Sequence, residues 1–460
     1  MSSLFGSLSI AVQSLLTQQA AVNVTSNNIA NVNTPGYSRQ QALLTEQAPI
    51  QVGSQWFGDG VSLEGIQSIR DPVLELRLQQ ETQQQGKTNA YLSALQQVEG
   101  FFNETQGVGL QGALSGFFNS LQALSTNPTN APLRLNVITA GQNLAHAFNQ
   151  AATSLQSLQQ NLDVGVSQSV DQINQLSSQI ATLNGSINAA QGAGQQAGTL
   201  VDQRNELIQQ LSNLVDLSVI NAGNSITITT SQGTALVVGN QSLPLQVQTD
   251  SATGFQHVYS QGTDITSTLS AGQIGGLIQA RDQTIPSILG SLDSLAAGLA
   301  NAVNTAHQAG FDLSGAPGGN FFVPPPAGGT GAAATLAVAI TDPSNVAASS
   351  DGTPGSNGNL TSLIAIQNQP IISGLSPANY YTNLIAQIGT DAANASSDQQ
   401  AGSQILQQLQ NERQAVSGVS LDEEAAKLIN FQRAFEAAAR VVSVVDEMTY
   451  SLLNIGSTVP

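Results

Sequence analysis

The residues best suited to proton transfer or metal ligation in this 460-residue chain are three histidines, His146, His257 and His307. A histidine-based catalytic or metal site needs a second histidine or a carboxylate at a spacing that brings both to one face. None of the three has an acidic or histidine neighbour at metal-ligand spacing. His146 and His307 also fall inside helical patterns, so surface or packing roles are expected. Gly107-Val108-Gly109-Leu110-Gln111-Gly112 matches G-x-G-x-x-G, which cradles a nucleotide phosphate when it follows a strand and an acid comes about 20 residues later. Here Phe101-Phe102-Asn103-Glu104 precedes it, and no Asp or Glu occurs between Glu104 and Asp163. The glycines therefore read as a loop leading into a helix. Asp422, Glu423 and Glu424 would supply paired carboxylates, but a helix N-terminus accounts for them through its dipole. Lys87 and Lys427 leave little scope for Schiff-base chemistry, and the single tryptophan, Trp56, reads as a packing anchor. No catalytic residue, metal or cofactor is expected.

Composition narrows the class further. The net charge of −18 argues against nucleic acid and anionic membrane as partners. Charged residues make up only 9% of the chain, so its polarity rests on Gln, Asn, Ser and Thr, and aromatics at 4% are too sparse for stacking platforms. Cysteine is absent, which removes disulfides and thiolate-bound metal. No apolar run reaches the roughly 18 residues of a membrane span. No basic region followed by an apolar core marks a cleavable signal, since the first positive side chain is Arg39. If the chain leaves the cell, it does so by a route that does not read such a signal.

The elements that would organise these residues lie at the two ends. Leu8, Val12, Leu15, Gln19, Val22, Ser26 and Ile29 form one stripe at heptad spacing. Leu421, Glu424, Leu428, Phe431, Phe435, Ala438, Val442, Val445, Thr449 and Leu452 form another. Neither helix can bury its stripe alone. The partner is either the other terminus or a copy from a neighbouring subunit. Between the ends, Leu43 to Leu63 reads as extended, and Asp71-Pro72 opens a long helix with Asp71 as N-cap. Helices follow at Leu110 to Leu124, Ala131 to Asn161, Asp163 to Ala190 and Leu200 to Leu214. Strand-like segments then run from Leu217 to about Leu269. Gly276 to Gln308 is helical, with a kink expected at Pro286. Gly310 to Gly358, which holds Pro324-Pro325-Pro326, reads as a flexible surface loop. Ser376 caps a helix from Pro377 to Val416, and Ser420 with Glu423 forms a capping box for the last helix.

The run Ser26-Asn27-Asn28-Ile29-Ala30-Asn31, leading to Thr34-Pro35-Gly36-Tyr37-Ser38-Arg39-Gln40, resembles the N-terminal motif of the bacterial flagellar rod, hook and hook-associated axial proteins. The resemblance narrows to the hook-associated junction branch on three further segments. These are Ser417-Gly418-Val419-Ser420-Leu421-Asp422-Glu423-Glu424 followed by Leu428, Phe431 and Gln432, then Leu200-Val201-Asp202-Gln203-Arg204-Asn205-Glu206-Leu207, and His307-Gln308-Ala309-Gly310-Phe311-Asp312. It implies a mainly α, nested multidomain axial protein with a β-rich outer domain: terminal helices paired as a coiled coil (1–65 and 417–460), a helical bundle (66–215, 272–312 and 359–416) and a small β domain at the tip (216–271). Relatives often carry a second outer β domain, in whose place this chain has the Gly- and Pro-rich stretch 313–358. The implied role is structural, at the junction of hook and filament, with a hook or rod component as the alternative. Implied partners are further copies in a tubular assembly, the hook protein, a second junction protein and an export chaperone on the final helix. Implied localisation is the extracellular flagellum, reached through the flagellar type III apparatus. The assembly surface would comprise Leu8, Val12, Leu15, Val22 and Ile29 with Leu428, Phe431, Phe435, Val442, Val445 and Leu452. The motif residues would be Asn27, Asn28, Ala30, Asn31, Thr34, Pro35, Gly36, Tyr37, Ser38 and Arg39.

Overall fold

The computed structural model describes residues 2–52, 54–103, 109–222 and 225–457. The first helix, α1 (Ser2–Ala30), packs along the last, α11 (Leu421–Ser457). Four short strands follow α1. Strand β1 (Gln40–Glu46) pairs antiparallel with β4 (Val61–Ser68), Gln40 opposite Ser68, and β2 (Ile50–Val52) with β3 (Gln55–Phe57) forms a hairpin between them. The outer pair is fastened to α1, where the Thr17 hydroxyl donates to the Val61 carbonyl at 3.2 Å.

A helical body holds most of the chain: α2 (Pro72–Phe102), α3 (Leu110–Thr126), α4 (Ala131–Gly192) and α5 (Gly198–Leu214). The Asp71 carboxylate caps α2, accepting from the N–H of Val73 at 2.8 Å and of Leu74 at 3.2 Å. The two helices expected between Ala131 and Ala190 are one, 62 residues long and so about 93 Å end to end. The break expected near Asn161 does not form because packing holds the backbone helical there. Leu162 and Val166 are both buried, and Asp163 between them is drawn into an ion pair with Arg281 at 2.6 Å.

Seven short strands lie along α4. Strands β5 (Ser218–Ala222), β6 (Ser225–Thr229), β7 (Ala235–Val238) and β8 (Gln241–Ser242) make one antiparallel sheet. A second contains β9 (Gln246–Thr249), β10 (Gln256–Ser260) and β11 (Thr263–Asp264). Their inner side chains, Ile226, Ile228, Leu236, Val237 and Val258, belong to the same core as the helical body. The Asn174 amide brackets the backbone of Leu245, donating to its carbonyl and accepting from its N–H, both at 2.8 Å.

The kink expected at Pro286 is absorbed differently. Helix α6 (Gly272–Gln279) widens into a π-helical turn over Ala280–Thr284, and α7 (Ile285–Gln308) restarts with Pro286 in its first turn. A proline there needs no N–H partner, and the widened turn accommodates its ring. The same turn places the fully buried Arg281 against Asp163, Asp282 and the Gln256 carbonyl.

The stretch from 310 to 358 is not a free loop. It carries α8 (Ala332–Thr335) and precedes α9 (Gly358–Ala365) and α10 (Pro377–Ser417). Phe321 and Phe322 are buried against Phe117, with ring centroids 5.4 and 5.7 Å from it. Gly141 on α4 admits them, since a Cβ at that position would lie 2.8 Å from the Phe321 ring. The buried Arg134 guanidinium donates to the carbonyls of Pro128, Pro343, Ser344 and Val346. His307 is the second clamp: its Nδ1–H donates to the Gly319 carbonyl at 2.8 Å, and its Nε2 accepts from the Ala347 N–H at 2.9 Å. Composition hid this because the anchors are backbone carbonyls and one Phe-Phe pair.

Burial pushes His307 below its ordinary value of 6.5. Its native hydrogen bonds require the neutral ring, so only the unfolded chain gains a proton here as pH falls past 6.5. Stability from this group is therefore complete above that value and lost below it. A His307→Gln variant should be less stable by about 2 kcal/mol near neutral pH. Between about pH 7.5 and about pH 5.5, the wild type should lose on the order of 1 kcal/mol more than the variant in urea unfolding. Parallel pH profiles would refute the clamp.

Candidate assembly interface

The site is the elbow where the terminal helix pair meets the body. Its turn is built locally. The Asn31 amide donates back to the Asn27 carbonyl and to Asn27 Oδ1, both at 2.9 Å, and the Thr34 hydroxyl donates to Asn31 Oδ1 at 3.1 Å. Gly36 then turns the chain with φ of +77°, a conformation that costs glycine nothing. Ala30 and Pro35 lie exposed on the outside of this turn.

Asn28 ties this turn to both chain ends. It is 1% exposed. Its Nδ2 donates to the Gln40 carbonyl and to Glu424 Oε2, both at 2.8 Å. Its Oδ1 accepts from the Tyr37 hydroxyl at 2.8 Å and from the Gln40 N–H at 2.9 Å. Every hydrogen-bonding position of the amide is thus used. Glu424, on α11 and also 1% exposed, takes the Lys427 ammonium on its other oxygen at 2.9 Å. Burial, followed by the charges of Asp202 and Glu424, pushes the Tyr37 hydroxyl up to about 12, so it remains a donor. Arg39 pairs with Glu423 at 2.7 Å, and its N–H donates to the Ser417 carbonyl at 2.8 Å. The fully buried Ser38 hydroxyl accepts from Arg70 Nε at 3.1 Å.

The sequence missed Glu424 as a buried ligand and assigned it to the helix dipole. The signal was present: it is a lone acid inside the apolar stripe of α11. The capping box at Ser420 is correspondingly half formed. The Glu423 N–H reaches the Ser420 hydroxyl at 3.5 Å, while the Glu423 carboxylate goes to Arg39.

The helix pair departs from the expected seam on one side. On α11, Leu428, Phe431 and Val442 are half-buried and Val445 is buried, whereas Phe435 and Leu452 are exposed. On α1 the buried residues are Ala11, Thr17, Ala21, Val24, Thr25 and Asn28. Leu8, Leu15, Val22 and Ile29 are half-buried, and Val12 is exposed. The buried face is therefore rotated about one residue from the leucine stripe, toward small side chains that let the helices approach closely. A second apolar face remains open: Phe5, Val12 and Leu16 on α1, and Val441, Val444 and Met448 on α11. Trp56 is not the expected packing anchor. It is 66% exposed at the β2–β3 hairpin beside exposed Phe57 and Ile50, because no layer covers that two-stranded ribbon.

The candidate chemical groups do not converge. His146 is exposed on α4, His257 pairs with Asp264 at 2.7 Å on the β surface, and His307 is the clamp described above. Among the described residues no group of three or more His, Asp or Glu could hold a metal ion. No described helix is long and apolar enough to cross a membrane. Gly107 and Val108 lie outside the described residues; helix, not strand, precedes them, and Leu110 to Gly112 open α3.

A chain whose first and last helices pair beneath an Asn-rich elbow has the build of a flagellar axial protein. Family models agree. The model for flagella basal body rod protein matches residues 8–37, that for the flagellar basal body rod FlgEFG protein C-terminal region matches 410–455, and that for the helical domain of flagellar hook-associated protein FlgK matches 95–322. Flagellar hook-associated protein 1 of Bacillus subtilis is 33% identical, covering 99% of both chains. Its Escherichia coli counterpart is 27% identical, covering 97% of this chain and 98% of that one. The chain belongs to the flagellar hook-associated protein 1 family. The solved structure of the flagellar hook junction protein FlgK from Burkholderia pseudomallei shares its fold, with a TM-score of 0.67 and 17% identity over 74% of this chain and 100% of that one.

An Asn28→Asp substitution would set a second carboxylate against Glu424, and should destabilise the elbow by about 3 kcal/mol near neutral pH. Acidification should relieve part of that as one carboxyl is protonated. Limited proteolysis of the 31–39 segment should therefore be faster in the variant, with the gap narrowing at low pH. Equal cleavage at all pH values would refute the role given to Asn28.

Proposed function

We propose that this chain is a structural subunit at the junction between flagellar hook and filament, on which filament assembly depends. The observation that carries the reading is the second apolar face of the terminal helix pair. Pairing α1 with α11 satisfies one face of each helix and leaves Phe5, Val12, Leu16, Val441, Val444 and Met448 in water. Such a face is a liability in a free subunit and an adhesive surface in an assembly. Further copies of the chain cover it when the pairs stand side by side as the inner coiled-coil layer of a tube. In this arrangement 1–65 and 417–460 form the inner layer, and the helical body (66–215, 272–312 and 359–416) forms the next. The strands of 216–271 face outward, with 313–358 in place of a second outer domain. The leucine-stripe residues and the hairpin aromatics Trp56 and Phe57 add to the surface between neighbours.

The partners in this reading are hook protein on one side and a second junction protein on the other. Before assembly, an export chaperone masks the open face of α11, and the chain leaves through the flagellar type III apparatus to the cell exterior. The role is mechanical, with no reaction assigned to it. A rod or hook subunit would share the termini; the match over 95–322 favours the junction.

Cells lacking the gene should carry hooks without filaments and shed flagellin into the medium; intact filaments would overturn the assignment. Burying a charge at Val444→Asp or Phe435→Asp should cost several kcal/mol at the interface and thus reduce complementation by at least roughly tenfold. The melting temperature of the free subunit should remain unchanged. Normal complementation by both variants would remove these side chains from the interface.

A further inference from the structure

The α5 segment Leu200–Leu207, singled out in the sequence, lines no core of the terminal helix pair, yet the elbow rests on it. Arg70, at the end of the β4 connection, donates to Asp202 Oδ1, to the Gly198 carbonyl at 3.4 Å and to the Ser38 hydroxyl at 3.1 Å. Arg70 and Asp202 are 18% and 7% exposed. One turn along α5, Glu206 lies directly beneath Gly36: a Cβ on that glycine would sit 2.9 Å from Glu206 Oε2 and 3.4 Å from Glu206 Cβ. From the other side, Arg413 of α10 donates to the Gly36 carbonyl at 3.3 Å while pairing with Glu75 at 2.8 Å.

These contacts are narrow. A polar cleft of about 920 Å³ separates the Pro35-Gly36 turn from the glutamines of α4 and α10. A second cavity of about 640 Å³ lies between Asn31–Tyr37 and α4 and α5. With open space on both sides of the turn, no broad apolar core fixes how the helix pair leaves the body. That angle rests on a few charge-assisted bonds and one close backbone approach.

We propose that Asp202 and Glu206 are positioning residues: by seating Arg70 and the Gly36 turn on α5, they set the angle between the terminal helix pair and the helical body, and hence the geometry in which copies stack. The link to stacking rests on the assembly role proposed above; the angle itself does not. It also gives Asp202 and Glu206 of the 200–207 motif a purpose that core packing, which accounts for Leu207, does not supply.

The chain contains no cysteine, so Gln168→Cys on α4 and Ala426→Cys on α11 place spin labels uniquely in the full-length free subunit. Asp202→Asn/Glu206→Gln should broaden or shift the interlabel distance distribution. Melting of the helical body should be unchanged, and complementation of a deletion strain should fall by roughly tenfold. Asp202→Glu, which keeps the charge, should restore both readouts. Glu206→Ala alone, which removes the support beneath Gly36 from a half-buried position on α5, provides a second variant should the double one fold poorly. An unchanged distance distribution in both variants would overturn the proposal whatever assembly does. A changed distribution with full complementation would refute the link between angle and stacking. Rescue of the deletion strain by the wild-type chain is the control that tests the junction role separately.

Discussion

The whole arrangement depends on one buried primary amide. Asn28 uses both of its N–H groups and both lone pairs, on partners drawn from its own elbow and from Glu424, 396 residues away. A buried amide missing one partner costs more than the bond itself contributes, because the orphaned group has lost water as well. The two ends of the chain must therefore meet in a single register before the network closes. The matter is acute for α1, which has no charged side chain and buries mainly small residues. Such a face could slide by a turn or a heptad at little cost in apolar contact. A buried amide with fixed partners penalises every register but one, as a lone asparagine does in coiled coils.

From this elbow the rest of the architecture extends outward. The unbroken α4 forms a spine, and side chains on it and on α7 fasten the strands and the 310–358 stretch by binding backbone: Asn174 on Leu245, Arg134 on four carbonyls, His307 on Gly319 and Ala347. Such bonds satisfy irregular backbone without regular secondary structure. They let a Gly- and Pro-rich stretch pack as part of the body in a family whose members align along their whole length with this chain.

What was legible in the sequence was what local chemistry decides. Asp71 before Pro72 and Ser376 before Pro377 mark helix starts, and both side chains accept from the first turn as their types require. The heptad stripe of α11 is followed only in part: Glu424, Ala438 and Val445 are buried, whereas its large members Leu421, Phe435 and Leu452 are exposed. What was illegible depended on the partner surface. On α1 the leucine stripe is conspicuous, yet α11 selects the neighbouring face of Ala11, Ala21 and Val24, since close approach favours small side chains. Trp56 looked like an anchor because tryptophan usually is one; only the isolation of its hairpin exposes it. Glu424 was recognisable as an oddity within its stripe, but its partner lies at the far end of the chain. The fold of 310–358 was hidden for the same reason: its anchors reside on α3, α4 and α7.

The central claim is that the open face of the terminal helix pair is covered only when copies assemble. Because the chain has no cysteine, Val444→Cys and Met448→Cys each introduce one reporter thiol, and maleimide labelling can compare the free subunit with purified hook–filament junctions. The account predicts rapid labelling in the free subunit and strong protection in the junction, with a control thiol at exposed Asn161 on α4 labelled in both. Equal reactivity of the two introduced thiols in the free and assembled states would contradict it.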